Sequence, residues 1–168
     1  FTDGRDVKPK SAEKFIETIQ QWCSKYGGEI ATITGRYYSM DRDQNWDRTQ
    51  KAYQTMTQAK GFKFSNPKEA LQKTYEEGDY DYFTQPSASK NYEGMQSNDL
   101  LIFHNFRADR ERQIAEAFLK KDFQKFQNRV RPNFISMLPY RKDFQNPVLF
   151  QKQIVEDTLG EKIEEAGL

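Results

Sequence analysis

Apolar side chains recur at helical spacing through Phe15, Ile16, Ile19, Trp22, Cys23 and Tyr26, after Pro9 and a capping Ser11, and the run stops at Gly27-Gly28. A stripe that repeats every three or four residues marks an amphipathic helix. The next stretch, Glu29 to Thr34, is β-branched and ends at Gly35, which predicts a short buried strand feeding a loop. That loop reads GRYYSMDRDQ. From Asn45 the positions of Trp46, Tyr53 and Met56 suit a second helix running toward Gly61, and Pro67 after Ser65-Asn66 opens a third that Gly78 closes.

Between Gly78 and Asn98 the chain is rich in Asp, Ser, Asn, Gln and Tyr with no sustained period, which predicts a long surface excursion. Its acidic start, EEGDYDY at 76–82, lacks the ligand order of a calcium loop and reads as a solvated edge. Leu100 to Phe103 is an unbroken apolar run, so a fully buried strand is expected there, followed by a helix that uses Ile114, Ala117 and Phe118. Residues 133–138 predict a further strand and 147–150 a last extended piece. Thr158 with Glu161 three positions on forms a capping box for a helix with Leu159 and Ile163, ended by Gly167. Strands alternating with helices at this spacing imply an α/β fold with a mainly parallel sheet flanked by helices. Ligands in such folds sit beyond the carboxyl ends of the strands, which points to the segments after 29–34 and 99–103.

The 168 residues leave room for one ordinary domain. Lys plus Arg (26) nearly cancels Asp plus Glu (25), giving +1, so no global field draws the chain to nucleic acid or to an anionic membrane. Any anion site must be local. A mean hydropathy of -0.99 with 14% aromatics describes a polar chain that still folds. The single Cys23 forms no internal disulfide and suits a reducing, cytoplasmic setting. No run approaches the roughly 20 apolar residues of a membrane span, the N-terminus has no signal-peptide core, and Phe1 in place of methionine marks a fragment. One histidine and one cysteine argue against a zinc site. His104, at an aromatic position in its strand, is expected to pack or to make a local hydrogen bond.

Three segments couple arginine to aspartate: DGRD (3–6), GRYYSMDRD (35–43) and NFRADR (105–110). Guanidinium groups bind carboxylate and phosphate oxygens through paired hydrogen bonds, so several converging on one crevice would hold a small molecule with two anionic ends. Taken singly, Arg beside Asp is a solvated pair worth about 0–1 kcal/mol. Placement changes the weighting: Gly4 and Gly35 stand directly before Arg5 and Arg36, and the second and third segments follow strands. Arginines interleaved with Tyr37, Tyr38, Trp46 and Tyr53 leave a nucleic-acid module open as an alternative, opposed by the near-neutral charge. A ligand-free interaction module is the other alternative.

DGRD followed by PKS, then GRYYSMDRDQNWDRTQKAY, then FHNFRADR resembles the substrate-binding domain of cofactor-independent phosphoglycerate mutases. The resemblance covers residues 1 to about 60 and 99 to about 118, and reappears in EDTLGEKIEEAGL. It implies an enzyme that interconverts 3-phosphoglycerate and 2-phosphoglycerate in glycolysis and gluconeogenesis. An alkaline-phosphatase-like domain with two metal ions, usually manganese, carries the serine that takes the phosphoryl group. By the same resemblance residues 1–149 are the N-terminally truncated clamp, and 150–168 the hinge and first helix of the phosphatase-like domain. Arg5 and Asp6 match the pair on the glycerate hydroxyls, with Asp6 the proton acceptor and donor. Arg36 and Arg42 match the arginines on the glycerate and its carboxylate, and Arg107 and Arg110 those at the phosphoryl end. No metal ligand is expected in this chain, which by this reading does not catalyse the reaction unaided. Its partners are the phosphoglycerates and the phosphatase-like domain, with no nucleic acid and no membrane. Ala108 departs from the proline common at that position, which implies a more mobile turn.

Overall fold

A computed structural model describes residues 1–151 and 157–167. The first helix, α1 (Ala12–Tyr26), forms as its spacing predicts, but the Ser11 side chain makes no capping hydrogen bond; the Asp81 carboxylate takes that place. The strand expected over 29–34 shrinks to β1 (Thr32–Ile33), and the loop after it begins with one helical turn, α2 (Arg36–Ser39). Then come α3 (Trp46–Gln58), β2 (Phe62–Phe64), α4 (Lys68–Glu76) and a 3₁₀ turn at Asp81–Phe83. β3 (Ser87–Ser89), β4 (Leu100–Phe103), α5 (Arg112–Leu119), β5 (Asn133–Ser136) and α6 (Leu159–Glu165) complete the order. No helix among the described residues is long and apolar enough to cross a membrane.

The α/β class is as expected, but the sheet is not one mainly parallel layer. Two small sheets form among the described residues. β3 lies between β1, its antiparallel neighbour, and β2, its parallel neighbour, while β4 and β5 pair in parallel with Leu100 opposite Asn133 and Phe103 opposite Ser136. The 147–150 piece joins by a bridge between Val148 and Ser136.

Two apolar clusters hold these layers. One gathers Tyr53, Met56, Phe103, Ile114, Phe118 and Phe134 where α3 and α5 cover β4 and β5. The other joins Ala12 and Ile16 of α1 to Ile33, Phe64, Ala70 and Leu71. Complete burial of a side chain such as Phe118 or Leu71 contributes about 1.5–3 kcal/mol. Tyr53 ties in the irregular segment after α5, since its hydroxyl donates to the Val130 carbonyl at 2.7 Å and accepts from the Val130 N–H at 3.0 Å.

The predicted surface excursion is wrong in a specific way. Asp81, Thr84, Ser87 and Ala88 are buried, and β3 is the central strand of its sheet. Small polar residues fit where two neighbouring strands and α3 crowd together, and their hydroxyls are satisfied locally: Thr84 donates to the Asp81 carbonyl at 2.9 Å and Ser87 to the Gln85 carbonyl at 2.7 Å. Nor is Asp81 a solvated edge. β4 also departs from expectation, because Leu100 and Ile102 are more than half exposed while Phe103 faces the core. The stripe of α1 is open too: Phe15, Trp22 and Tyr26 are exposed and Ile16 carries the packing. An unbroken or periodic apolar run reports that a face can be covered, and says nothing of what covers it.

The final helix has the predicted box, with Glu161 N–H donating to Thr158 Oγ1 at 3.3 Å and Thr158 N–H to the Glu161 carboxylate at 2.7 Å. Its side chains are exposed. Residues 152–156 of the expected hinge lie outside the described residues.

Candidate functional site

Two backbone ladders bring the first arginine segments together. Thr2 N–H donates to the Thr34 carbonyl at 3.0 Å and Arg36 N–H to the Thr2 carbonyl at 2.8 Å, which lays the start of DGRD along the end of β1. Gly35 N–H donates to the Thr84 carbonyl at 2.8 Å. A Cβ on Gly35 would stand 2.5 Å from the Tyr82 carbonyl oxygen, so no other residue fits this crossing without moving the backbone. Gly4, at φ +62°, makes the matching turn against Asp81 and Tyr82. The glycines before Arg5 and Arg36 are therefore there for close approach.

Arg36 opens α2 with its side chain only 11% exposed. Its Nη1 donates to the Asp3 carboxylate and stands 3.9 Å from Asp6 Oδ2. Across the cavity, after the end of β4, Asp109 holds two arginines: Arg42 Nη1 donates to Oδ2 and Arg107 Nε to Oδ1, each at 2.8 Å. Burial pushes the Asp109 carboxyl up, but those hydrogen bonds and charges outweigh it and hold it below its ordinary value. Arg110 Nη1 donates to the Met40 carbonyl at 3.1 Å. Burial, and then repulsion from Arg36 and Arg42, draws Arg110 below its usual value, which means that three guanidinium charges share one neighbourhood.

These groups bound a cavity of about 340 Å³, the size of a small-ligand site. Asp6, Arg36, Arg107 and Arg110 line it together with Asp3 and Glu111. Arg42 reaches it through Asp109. Arg5 does not: it is exposed and lines a neighbouring depression of about 390 Å³ with Gly4, Tyr37, Tyr80, Tyr82 and Phe83. Larger depressions beside β4–β5 and beside α1 have no comparable gathering of charge.

His104 corrects an expectation. It follows the last residue of β4, is exposed, and lines the arginine cavity rather than packing in the core. The aromatic residues that a stacking platform would need are otherwise engaged. Tyr38 and Tyr53 are buried, Trp46 packs edge-on against Phe123 at 5.4 Å, and Tyr37 lies under the Arg48 guanidinium at 4.0 Å. Asp41 of the GRYYSMDRD string is structural, accepting from Asn45, Asp43 and Gln113. Burial pushes its carboxyl up and those bonds bring it below its ordinary value.

No group of three or more His, Cys, Asp or Glu side chains among the described residues is placed to hold a metal ion. Asp3 and Asp109 already accept from arginines. The described residues do not fit a manganese pair.

The sequence model of the family described as BPG-independent PGAM N-terminus matches residues 1–142. The chain belongs to this family. As a member of the BPG-independent PGAM N-terminus family it is 44% identical over 169 residues to the 2,3-bisphosphoglycerate-independent phosphoglycerate mutase of Campylobacter jejuni subsp. doylei. It is 41% identical over 177 residues to the mutase 1 of that name from Methanosarcina acetivorans. Each comparison covers 100% of this chain and 34% of the relative. A crystal structure of Leishmania mexicana phosphoglycerate mutase, solved at low cobalt concentration, superposes with a TM-score of 0.86 at 26% identity, over 99% of this chain and 34% of that one. The chain thus spans about a third of the length of the relatives it matches, and the α/β fold is that of this BPG-independent PGAM N-terminus family.

Proposed function

We propose that this chain is the substrate-gripping part of a phosphoglycerate mutase, holding the glycerate while a phosphoryl group leaves one hydroxyl and returns to the other. The observation that carries the reading is the meeting of Arg36, Arg107 and Arg110 with Asp6 in one small cavity, with Arg42 tied in through Asp109. A three-carbon acid with a carboxylate at one end and a phosphate at the other presents one anionic group to each end of such a cluster. The resemblance assigns Arg36 and Arg42 to the carboxylate end and Arg107 and Arg110 to the phosphoryl end, where guanidinium charge offsets the charge that develops in transfer. Asp6, largely exposed at the cavity mouth, takes and returns the hydroxyl proton. The resemblance also assigns Arg5 to the glycerate hydroxyls, while in this structure it lines the aromatic depression beside the cavity.

A glycerate that must not escape between two half-reactions has to be gripped at every polar group while water is kept out. The clamp therefore works by closing on a second domain that supplies the phosphoryl acceptor and the metal ions, in glycolysis and in the cytoplasm. In this reading residues 1–149 are the clamp, 150–168 lead into that second domain, and the chain alone binds without catalysing.

The test is a titration of the ¹⁵N-labelled chain with 3-phosphoglycerate. Saturable shifts at Asp6, Arg36, Arg42, Arg107 and Arg110 at millimolar ligand are expected, the weak affinity reflecting a half-built cleft. Silence in those segments at high ligand concentration sinks the reading.

A further inference from the structure

The loop that carries Arg42 is tied to the start of α5 by three polar bridges. Two of them are made by arginines of the clamp: Arg42 Nη1 donates to Asp109 Oδ2 at 2.8 Å, and Arg110 Nη1 to the Met40 carbonyl at 3.1 Å. Gln113 makes the third. It stands in the first turn of α5, three residues after Arg110, and is 7% exposed. Its Nε2 donates to Asp41 Oδ1 at 3.0 Å and to Thr49 Oγ1 at 2.6 Å, while its Oε1 accepts from the Gln44 N–H at 3.1 Å. One amide thus holds the residues on either side of Arg42 and Asp43. Asp41 extends the anchorage, since its Oδ1 also accepts from the N–H groups of Asp43 and Asn45 at 3.1 and 2.9 Å.

A ligand acts differently on the three bridges. The guanidinium groups of Arg42 and Arg110 are the ones that an anion takes, so their bonds to Asp109 and to the Met40 carbonyl weaken as they turn to it. The Arg42 side chain is also 48% exposed, and an ion pair in that setting contributes little to holding a loop. Gln113 does not line the cavity, so the ligand does not compete for it. Its bonds to Asp41 and Thr49 are buried, where a donor or acceptor left unpaired is costly. Misplacing a binding group by about 1 Å can cost roughly 10²-fold, which gives weight to the one of these bridges that the ligand leaves intact.

We propose that Gln113 is a positioning residue of the clamp, keeping the Arg42 loop in place against the turn of Arg107 and Arg110 once those arginines give up their protein partners for the ligand. This rests on the clamp reading above and adds to it the residue that fixes the separation of its two ends. The position calls for an amide, because one side chain has to donate to a carboxylate and to a hydroxyl and accept from a backbone N–H.

The experiment titrates the wild-type, Gln113→Met and Gln113→Glu chains with 3-phosphoglycerate, read by amide shifts below the melting transition of all three. Gln113→Met, similar in size and without the polar atoms, is expected to weaken binding by about tenfold in a fully folded chain. A glutamine that served stability alone would lower the melting temperature and leave the affinity of the folded chain unchanged. Gln113→Glu is expected to respond to pH. Asp41 from the loop and Arg48 from α3 are the charged groups at that position, and Asp41, held below its ordinary value, stays ionised from pH 8 to pH 5.5. At pH 8 the new carboxylate repels Asp41 and donates nothing. Burial beside Asp41 favours its protonation, and at pH 5.5 the acid donates to Asp41 as the amide did. The ratio of variant to wild-type dissociation constants at equal pH, in which titration of the ligand cancels, should fall from about tenfold toward one. A folded Gln113→Met chain that binds as wild type does, or a Gln113→Glu ratio that does not change with pH, overturns the proposal and leaves the clamp standing. If Gln113→Met does not fold, the pH ratio decides alone. If 3-phosphoglycerate moves none of Arg36, Arg42 and Arg107 in the wild-type chain, the clamp reading itself fails and this proposal falls with it.

Discussion

The Asp81 carboxylate caps α1 from 69 residues away, accepting from the Ala12 N–H at 3.1 Å and, through the same oxygen, from the Ser11 N–H at 2.8 Å. Its other oxygen accepts from the Tyr75 hydroxyl, and its carbonyl from the Thr2 hydroxyl at 2.6 Å. One buried residue thus fixes the helix start and α4 through its side chain, and the strand end that leads into DGRD through its carbonyl.

Asp81→Ala leaves two helix N–H groups and a tyrosine hydroxyl unpaired. A loss of about 3 kcal/mol is expected, read by chemical denaturation, with Asp81→Asn recovering part of it. A loss below experimental error would show that water replaces the cap.

Arg36 and Arg107 separate binding from stability. Arg107→Ala removes a side chain that is 73% exposed, so folding changes by less than about 0.5 kcal/mol while 3-phosphoglycerate binding is lost. Arg36→Ala loses binding as well and costs about 1 kcal/mol through the loss of a nearly buried side chain and its bond to the half-exposed Asp3 carboxylate. Thermal melts and titrations of the two variants side by side check both parts.

Gly35→Ala places a methyl group against the Tyr82 carbonyl and the Thr84 N–H. The crossing has to open, at a cost of about 1–3 kcal/mol, and the Arg36 and Arg107 amide signals should shift together because the turn that seats Arg36 has moved. An unchanged spectrum would contradict the crossing.

Glu111 gives folding a pH signature. Its folded value, about 7, lies above the unfolded value of 4.5, so the folded state holds the proton more tightly. That contribution is fully present below about pH 4.5 and is lost as pH rises through about 7, by up to roughly 3 kcal/mol. Denaturation of wild type and Glu111→Gln from pH 5 to pH 8 should show wild type losing ground over that range relative to the variant. Parallel curves would show that the carboxyl ionises freely in the folded chain.

Legibility in the sequence followed the range of the interaction concerned. α1, α3, α4 and α5 were readable because helical spacing and end signals are local, and the Thr158–Glu161 box closes within three residues. β3 was not, because Ser87, Ala88 and Ser89 carry no apolar alternation; they are buried by the strands on either side. His104 lay one residue past a strand end that apolar pattern alone does not fix.

By itself the sequence determined which chemistry is available: arginines beside aspartates in three segments, glycines before two of them, and an α/β alternation that points to strand ends. The tertiary structure decided which groups meet. Arg36 reaches Asp3, 33 positions away, and Arg42 reaches Asp109, 67 positions away, while Arg5, beside Asp6 in the chain, faces another depression. The reason is physical. Local patterning fixes the face a residue presents on its own element, whereas a cavity is made by faces of different elements, whose meeting depends on how the cores beneath them pack.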